Sequence, residues 1–293
     1  MVKSEPADSL SRLAPAGLAP AGSAPTGPDD APHPVDPLYL RPPADSQSAK
    51  VWFGLAFGGF IAGYVASALL LTVFAAASGN LKDLSTLESL SVPPWWVTIA
   101  GLVGLWMGFI GAVILASRIR GSGHPFADMG LRLTLWDAPI GIVIGVAGQL
   151  VVDLLYLPFE HLVPGLQRDL SAPANRLTGG FHGADLVVIA LLTVIVVPVV
   201  EELFFRGLLL QSLVRLCRGA GPVLGPAIAT VVTGILFGLA HAEPVQLAGL
   251  ALFGIVLSVM AYKTGRLGAC IFAHAAFNAF AVIAIASQGR VTF

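Results

Sequence analysis

Seven apolar runs organise the chain, at residues 51–77, 95–117, 137–158, 185–205, 223–241, 246–263 and 267–287. Each approaches the roughly 20 residues that a helix needs to cross the hydrocarbon core of a bilayer. Together they predict an all-α protein, a polytopic transmembrane helical bundle of about seven or eight membrane helices. Glycine and alanine recur inside the runs, as at Gly54, Gly58, Gly59 and Gly63, and small residues let neighbouring helices approach closely. Trp95-Trp96 after Pro93-Pro94, and Trp136 before Pro139, stand at run ends, where aromatic rings anchor at the membrane interface. The fourth run does not stop at 205. Its helical pattern continues from Phe204 to Leu216, beyond one ordinary span, which predicts a helix partly submerged in the bundle or bent near Gly207.

Residues 1–49 are a different material, rich in Pro, Ala, Ser and Gly, with a short repeat at Ala14-Pro15-Ala16-Gly17 and Ala19-Pro20-Ala21-Gly22. Such a stretch cannot bury enough apolar surface to offset its ordering entropy, and it reads as a disordered tail before a transmembrane helical domain at 50–293. It lacks the basic start, apolar core and cleavage site of a signal peptide, so the first apolar helix is expected to serve as an uncleaved signal anchor.

Composition agrees with the pattern. The 293 residues are 56% hydrophobic and 11% charged, with a mean hydropathy of +0.82, against the roughly 25% charged residues of soluble domains. A formal net charge of −1 leaves no basic stripe, which excludes nucleic acid as a partner. Cys217 and Cys270 lie in or beside apolar helices with no metal-ligand or disulfide spacing, and read as packing residues.

Basic residues supply an orientation. Arg118, Arg120 and Arg132 follow the second run, Arg206, Arg215 and Arg218 the fourth, and Lys263 and Arg266 the sixth. The alternate connections hold Lys82, then Arg168 and Arg176, then none. The positive-inside rule therefore predicts a cytoplasmic N-terminus and an integral protein of the plasma membrane.

Against this background Glu201 and Glu202 stand out, set in Val199-Val200-Glu201-Glu202-Leu203-Phe204-Phe205-Arg206. An ionised side chain deep in a membrane costs several kcal/mol, so it persists mainly where it pairs, faces a wet cavity or does chemistry. In a helix Glu202 and Arg206 are four apart on one face, the acid first, which is the favourable order for an ion pair. Glu201 lies about 100° round the helix and is left to act as a base. Two later runs carry further polar groups: Phe237 and His241 are four apart, and so are His274 and Asn278.

Each has a plainer reading. A lone histidine at a helix end, as His241 beside Pro244, is more often a hydrogen-bonded interfacial residue than a catalyst. His274 and Asn278 could simply bond across helices, and Arg206 could snorkel. Asp153 has no comparable constellation and reads as structurally partnered. The glutamate pair is harder to explain structurally. With the histidines it suits two mechanisms: a zinc site of Glu201, His241 and His274, or general-base activation of water without an obligatory metal. Both lead to hydrolysis of an amide, with His274 and Asn278 as candidate donors to the developing oxyanion. Strict alternation of spans puts His241 toward the outer end and His274 toward the inner end, so a shared site requires tilted, broken or unequally submerged helices, with a deep turn at Pro244.

The ordered set Glu201-Glu202-x-x-x-Arg206, Phe237-x-x-x-His241 and His274-x-x-x-Asn278 resembles the CPBP family of intramembrane proteases, which includes the type II CAAX prenyl endopeptidases and bacterial relatives linked to bacteriocin processing or immunity. The resemblance covers about 135–287, the protease-like core. It implies a membrane-embedded endopeptidase acting on a membrane-associated protein or peptide at the lipid bilayer. Glu201 is then the base, His241 its partner in orienting the water, His274 and Asn278 the oxyanion side, and Glu202, Arg206 and Phe237 the support. The competing readings are a proton-coupled transporter with the same residues as a relay and a non-catalytic immunity or scaffold protein. Inverted repeats would favour the transporter, and no convincing duplication of the glutamate segment is found in the first half.

Overall fold

The computed structural model describes residues 46–77, 95–178 and 184–285. The Pro/Ala-rich stretch up to residue 45 and the connection holding Lys82 lie outside the described residues. Every expected apolar run is a helix: α1 (Ser46–Ala77), α2 (Trp95–Arg120), α3 (Asp137–Tyr156), α5 (184–216), α6 (Leu224–Ala240), α7 (Leu247–Thr264) and α8 (Gly268–Ile285). A polar helix, α4 (Leu166–Thr178), lies between α3 and α5. Helix α1 starts at Ser46, inside the stretch that composition assigns to the tail.

Five of these helices are long and apolar enough to cross a membrane, while Leu224–Ala240 and Gly268–Ala284 are apolar but shorter. Only 11% of the most apolar window of α1, and of α3, is buried within the protein. Their outward faces carry exposed Phe57, Leu69, Val143 and Leu154. An apolar surface of that extent is what lipid, rather than water, solvates. Trp136 is exposed at the foot of α3, as an interfacial anchor would be.

Glycines decide how the helices pair. A Cβ on Gly108 of α2 would stand 2.2 Å from the carbonyl oxygen of Gly59 in α1, and one on Gly63 would stand 2.9 Å from the carbonyl of Leu105. In α3, a Cβ on Gly145 would meet the carbonyl of Ala273 in α8 at 2.2 Å, and one on Gly141 would meet that of Ala269 at 2.6 Å. In α6, Gly234 and Gly238 lie against Ala251, Ile255 and Leu247 of α7. Each seam uses glycines four apart, the spacing that lets backbones touch in a membrane, where van der Waals packing replaces the hydrophobic drive. The α1/α2 and α6/α7 pairs run antiparallel; α3 and α8 run parallel, as an even number of reversals between them requires.

Helix α5 is the core of the bundle: from Val200 to Arg215 nothing but buried side chains occurs. It is one continuous helix with two wide stretches of i→i+5 bonding, Leu192–Val196 and Leu203–Leu210. The first directly precedes Pro198, which has no N–H to donate and whose ring crowds the carbonyl four residues back, so local widening relieves the clash. The predicted continuation through Leu216 is present. Gly207 lies in the second wide stretch, close against Met129.

At one end of the bundle the basic connections meet. Arg266 pairs with Asp137 at 3.0 Å and donates to the Thr134 hydroxyl, while the Leu267 amide donates to the Gly130 carbonyl. Gln211, in the last turns of α5, donates to the Asp128 carbonyl in the same loop. Asp128 in turn accepts from the hydroxyls of Ser117 and Ser122 and the Ser122 amide.

Candidate active site

Glu201 and Glu202 end a regular helical stretch, Val197–Glu202, and the second wide stretch begins at the next residue. Wide turns of this kind recur at functional sites because they re-aim side chains within an otherwise regular helix. Glu202 is 0% exposed, Arg206 1%, His274 2% and Glu201 8%, so the four form a buried cluster.

Glu202 is the fixed member. Its Oε1 accepts from Arg206 Nη1 at 2.7 Å and lies 3.0 Å from His274 Nδ1. The expected four-residue ion pair is therefore made, at 0% side-chain exposure on both partners. Arg206 donates through Nη2 to the Gly254 carbonyl at 3.0 Å, which also accepts from Ser258 at 2.7 Å. Its guanidinium carbon stands 4.4 Å from the Phe237 ring centroid, a cation–π contact in dry surroundings. Burial, a charge partner, a carbonyl and a ring together hold one rotamer.

Glu201 is committed differently. Its Oε2 faces His274 Nε2 at 3.8 Å, and that oxygen is buried with no hydrogen-bond partner. His274 thus presents one ring nitrogen to each glutamate. His241 caps α6 and its Nδ1 is 2.8 Å from the Phe237 carbonyl. A carbonyl only accepts, so Nδ1 carries the proton and Nε2 is left with its lone pair.

The difficulty with opposite helix ends resolves at Phe237. Its ring meets His241 edge-on at 4.8 Å and His274 at 5.5 Å, so both histidines pack on one aromatic side chain. Phe205 abuts the same ring at 5.3 Å. Asn278, one turn beyond His274, donates to the Thr193 carbonyl at 2.9 Å, within the first wide stretch of α5. The structure thus gathers Glu201, Glu202, Arg206, Phe237, His241 and His274, and ties Asn278 to the flank of α5 one helical turn away. Asp153, read as structurally partnered, accepts from Gln149 at 2.9 Å. Cys270 is buried and free, and Cys217 is free and half-buried.

Two site features escape a reading by motif: Gly254, whose carbonyl holds Arg206, and Tyr64 of α1, which donates to the Ala240 carbonyl beside His241. No spacing rule marks a backbone carbonyl, and a tyrosine in an apolar run reads as packing.

A bundle of apolar helices that buries two acids, an arginine and a histidine in mutual contact is an integral membrane protein with a site suited to proton transfer. Residues 183–280 match the Rce1-like family model, described as type II CAAX prenyl endopeptidase. All seven residues of the three motifs fall inside this stretch, whereas residues 135–182, which the resemblance had included in the core, fall outside. The uncharacterized protein YyaK of Bacillus subtilis (strain 168) is 35% identical over 122 residues, 38% of this chain and 39% of YyaK. The chain therefore spans well under half the length of that relative. No solved structure matches.

Proposed function

We propose that the chain is an intramembrane endopeptidase that hydrolyses a peptide bond near the membrane surface, with Glu201 activating the water. The observation that carries this reading is the division of labour between the acids: each keeps a buried Oε2 with no hydrogen bond, but Glu202 is anchored through Oε1 to Arg206 and His274, whereas Glu201 meets His274 Nε2 only at 3.8 Å. In the dry interior a cluster of two carboxylates and one guanidinium balances its charge by holding one proton between Glu201 and His274. With that proton on His274, Glu201 is a free carboxylate that takes a proton from the attacking water and returns it to the leaving amine.

Roles follow from the bonds. His241, with Nε2 free to accept, orients the attacking water. His274, fixed by Glu202, donates to the developing oxyanion, and Asn278 positions the substrate carbonyl from the next turn. Phe237 and Arg206 hold the two histidines against α5. The partners are a membrane-associated protein or peptide and the bilayer, with the basic end of the bundle cytoplasmic in the plasma membrane.

A metal would draw on Glu201, His241 and His274. Among the described residues no three His, Cys, Asp or Glu side chains gather as a metal site, and both ring nitrogens of His274 face carboxylates. A carboxylate on one imidazole nitrogen is also how metal-ligating histidines are held, so the chelation test separates that alternative from our reading, which runs through water and side chains without an obligatory cofactor.

The test is a reconstituted protein and a membrane-anchored peptide cut in the presence and absence of a chelator. Cleavage that survives chelation and disappears in Glu201→Gln is the expected result. Loss on chelation with recovery on stoichiometric zinc would replace the glutamate reading with a metalloprotease. Wild-type function retained in Glu201→Gln would point to a scaffold.

A further inference from the structure

The last turn of α6 carries His241, and its carbonyls can be accounted for one by one. A helix ends with four carbonyls that have no partner within it, and each must be met by something else. The Phe237 carbonyl takes His241 Nδ1. Those of Gly238 and Leu239 take the amides of His241 and Ala242. The fourth, of Ala240, takes the hydroxyl of Tyr64, a residue 176 positions earlier in α1.

Chain geometry beyond this turn makes the fourth bond matter. Ala242 has φ of 53°, the one left-handed non-glycine among the described residues. A side chain is strained there and persists only where neighbours fix the turn. Of the groups that meet these four carbonyls, two belong to His241, one to Ala242, and the Tyr64 hydroxyl comes from another helix; further along the turn, Tyr156 donates to the Val245 carbonyl and Gln246 to that of Leu170. The Tyr64 ring leans on Phe60 at 5.0 Å. Phe60 in turn lies 6.1 Å from Phe109, which stacks on Phe204 at 3.9 Å. The ring thus packs at the end of an aromatic run rooted in α5, while the bond to the Ala240 carbonyl rests on the hydroxyl itself.

We infer that Tyr64 is a positioning residue for His241: its hydroxyl completes the cap of α6 and so fixes the imidazole whose Nε2 is left to accept, which makes α1, outside the matched residues 183–280, a working part of the site. The inference rests on the endopeptidase reading for its catalytic consequence, but not for its structural content.

Full-length protein in liposomes carries the test, with Tyr64→Phe as the variant and Phe60→Leu as a packing control that leaves the hydroxyl. Two quantities are read: cleavage kinetics on a membrane-anchored peptide, and the rate at which diethylpyrocarbonate modifies His241 relative to exposed His124, followed by mass spectrometry. In Tyr64→Phe we expect kcat to fall about tenfold to a hundredfold, the scale of a misplaced catalytic group, with KM nearly unchanged. The kcat–pH profile should change on the limb set by His241, and the modification ratio should rise several-fold. Phe60→Leu should stay near wild type in both. An unchanged modification ratio overturns the inference whatever the kinetics show. So does a raised ratio with wild-type kcat, or a Phe60→Leu variant that matches Tyr64→Phe. If the wild type cleaves nothing while Tyr64→Phe still raises the ratio, the endopeptidase reading falls and the hold of Tyr64 on His241 stands.

Discussion

At the scale of single residues, the site is a set of unequal commitments. Arg206 makes the most, to Glu202, the Gly254 carbonyl and the face of Phe237. Removing one partner of a buried ion pair costs about 3–5 kcal/mol because the other charge is stranded. Arg206→Ala is therefore expected to lower the thermal midpoint sharply in detergent. Arg206→Lys keeps the charge without the planar fork that serves Glu202 and Gly254 together; it should fold and yet cleave more slowly. Equal stability of Arg206→Ala and wild type would contradict this account. Asn278→Ala removes one donor to Thr193 and, on the proposed mechanism, a substrate contact. A loss of about 10²-fold in kcat, the scale of an oxyanion donor, is expected, with little change in the melting curve. Spacing alone made the Glu202–Arg206 pair legible, since four residues place two side chains on one face of either an α or a slightly wider helix. The other partners of Arg206 were not legible, because a backbone carbonyl leaves no mark in a sequence.

Elements were the most readable level. Apolar length fixed each of the membrane helices, and the continuation of α5 to Leu216 followed from a pattern that never broke. The two wide stretches of α5 were not legible, because Pro198 signals disruption without saying whether the helix kinks, breaks or widens. Nor does hydropathy say which glycines are seams. Gly234 lies where a Cβ would stand 2.4 Å from Ile255 Cγ1 and 2.6 Å from its amide nitrogen, whereas Gly54 has open space. Gly234→Ala should cost about 1–3 kcal/mol as overpacking between α6 and α7. It should also disturb Arg206, because Gly254 lies at the same crossing. Gly54→Ala should be neutral or stabilise by up to about 1 kcal/mol through helix propensity. Thermal melts of the two variants, side by side, decide the point: similar behaviour would mean the seam is not tight.

At the scale of the whole molecule, the side-by-side parallel course of α3 and α8 and the meeting of the Gly130, Thr134 and Arg266 loops agree with a chain that reverses at every apolar run. Cysteines introduced at Ser122 and Thr264, in a background without Cys217 and Cys270, should label from one side of the membrane. A cysteine at Leu162 should label from the other. Labelling of Ser122→Cys and Thr264→Cys from opposite sides would break the alternation. The even-numbered connections were readable from their arginines; the contact between them was not, because Asp137 looks like an ordinary helix-starting acid until Arg266 is seen beside it. The same arrangement has a consequence for biosynthesis. Glu201, Glu202 and Arg206 enter the membrane long before His274, whose helix must return to a partner, α3, inserted more than 100 residues earlier. Until that last docking the acid pair lacks its histidine, so a nascent chain stalled before residue 268 carries half a reaction centre and stays chemically silent while it is being made.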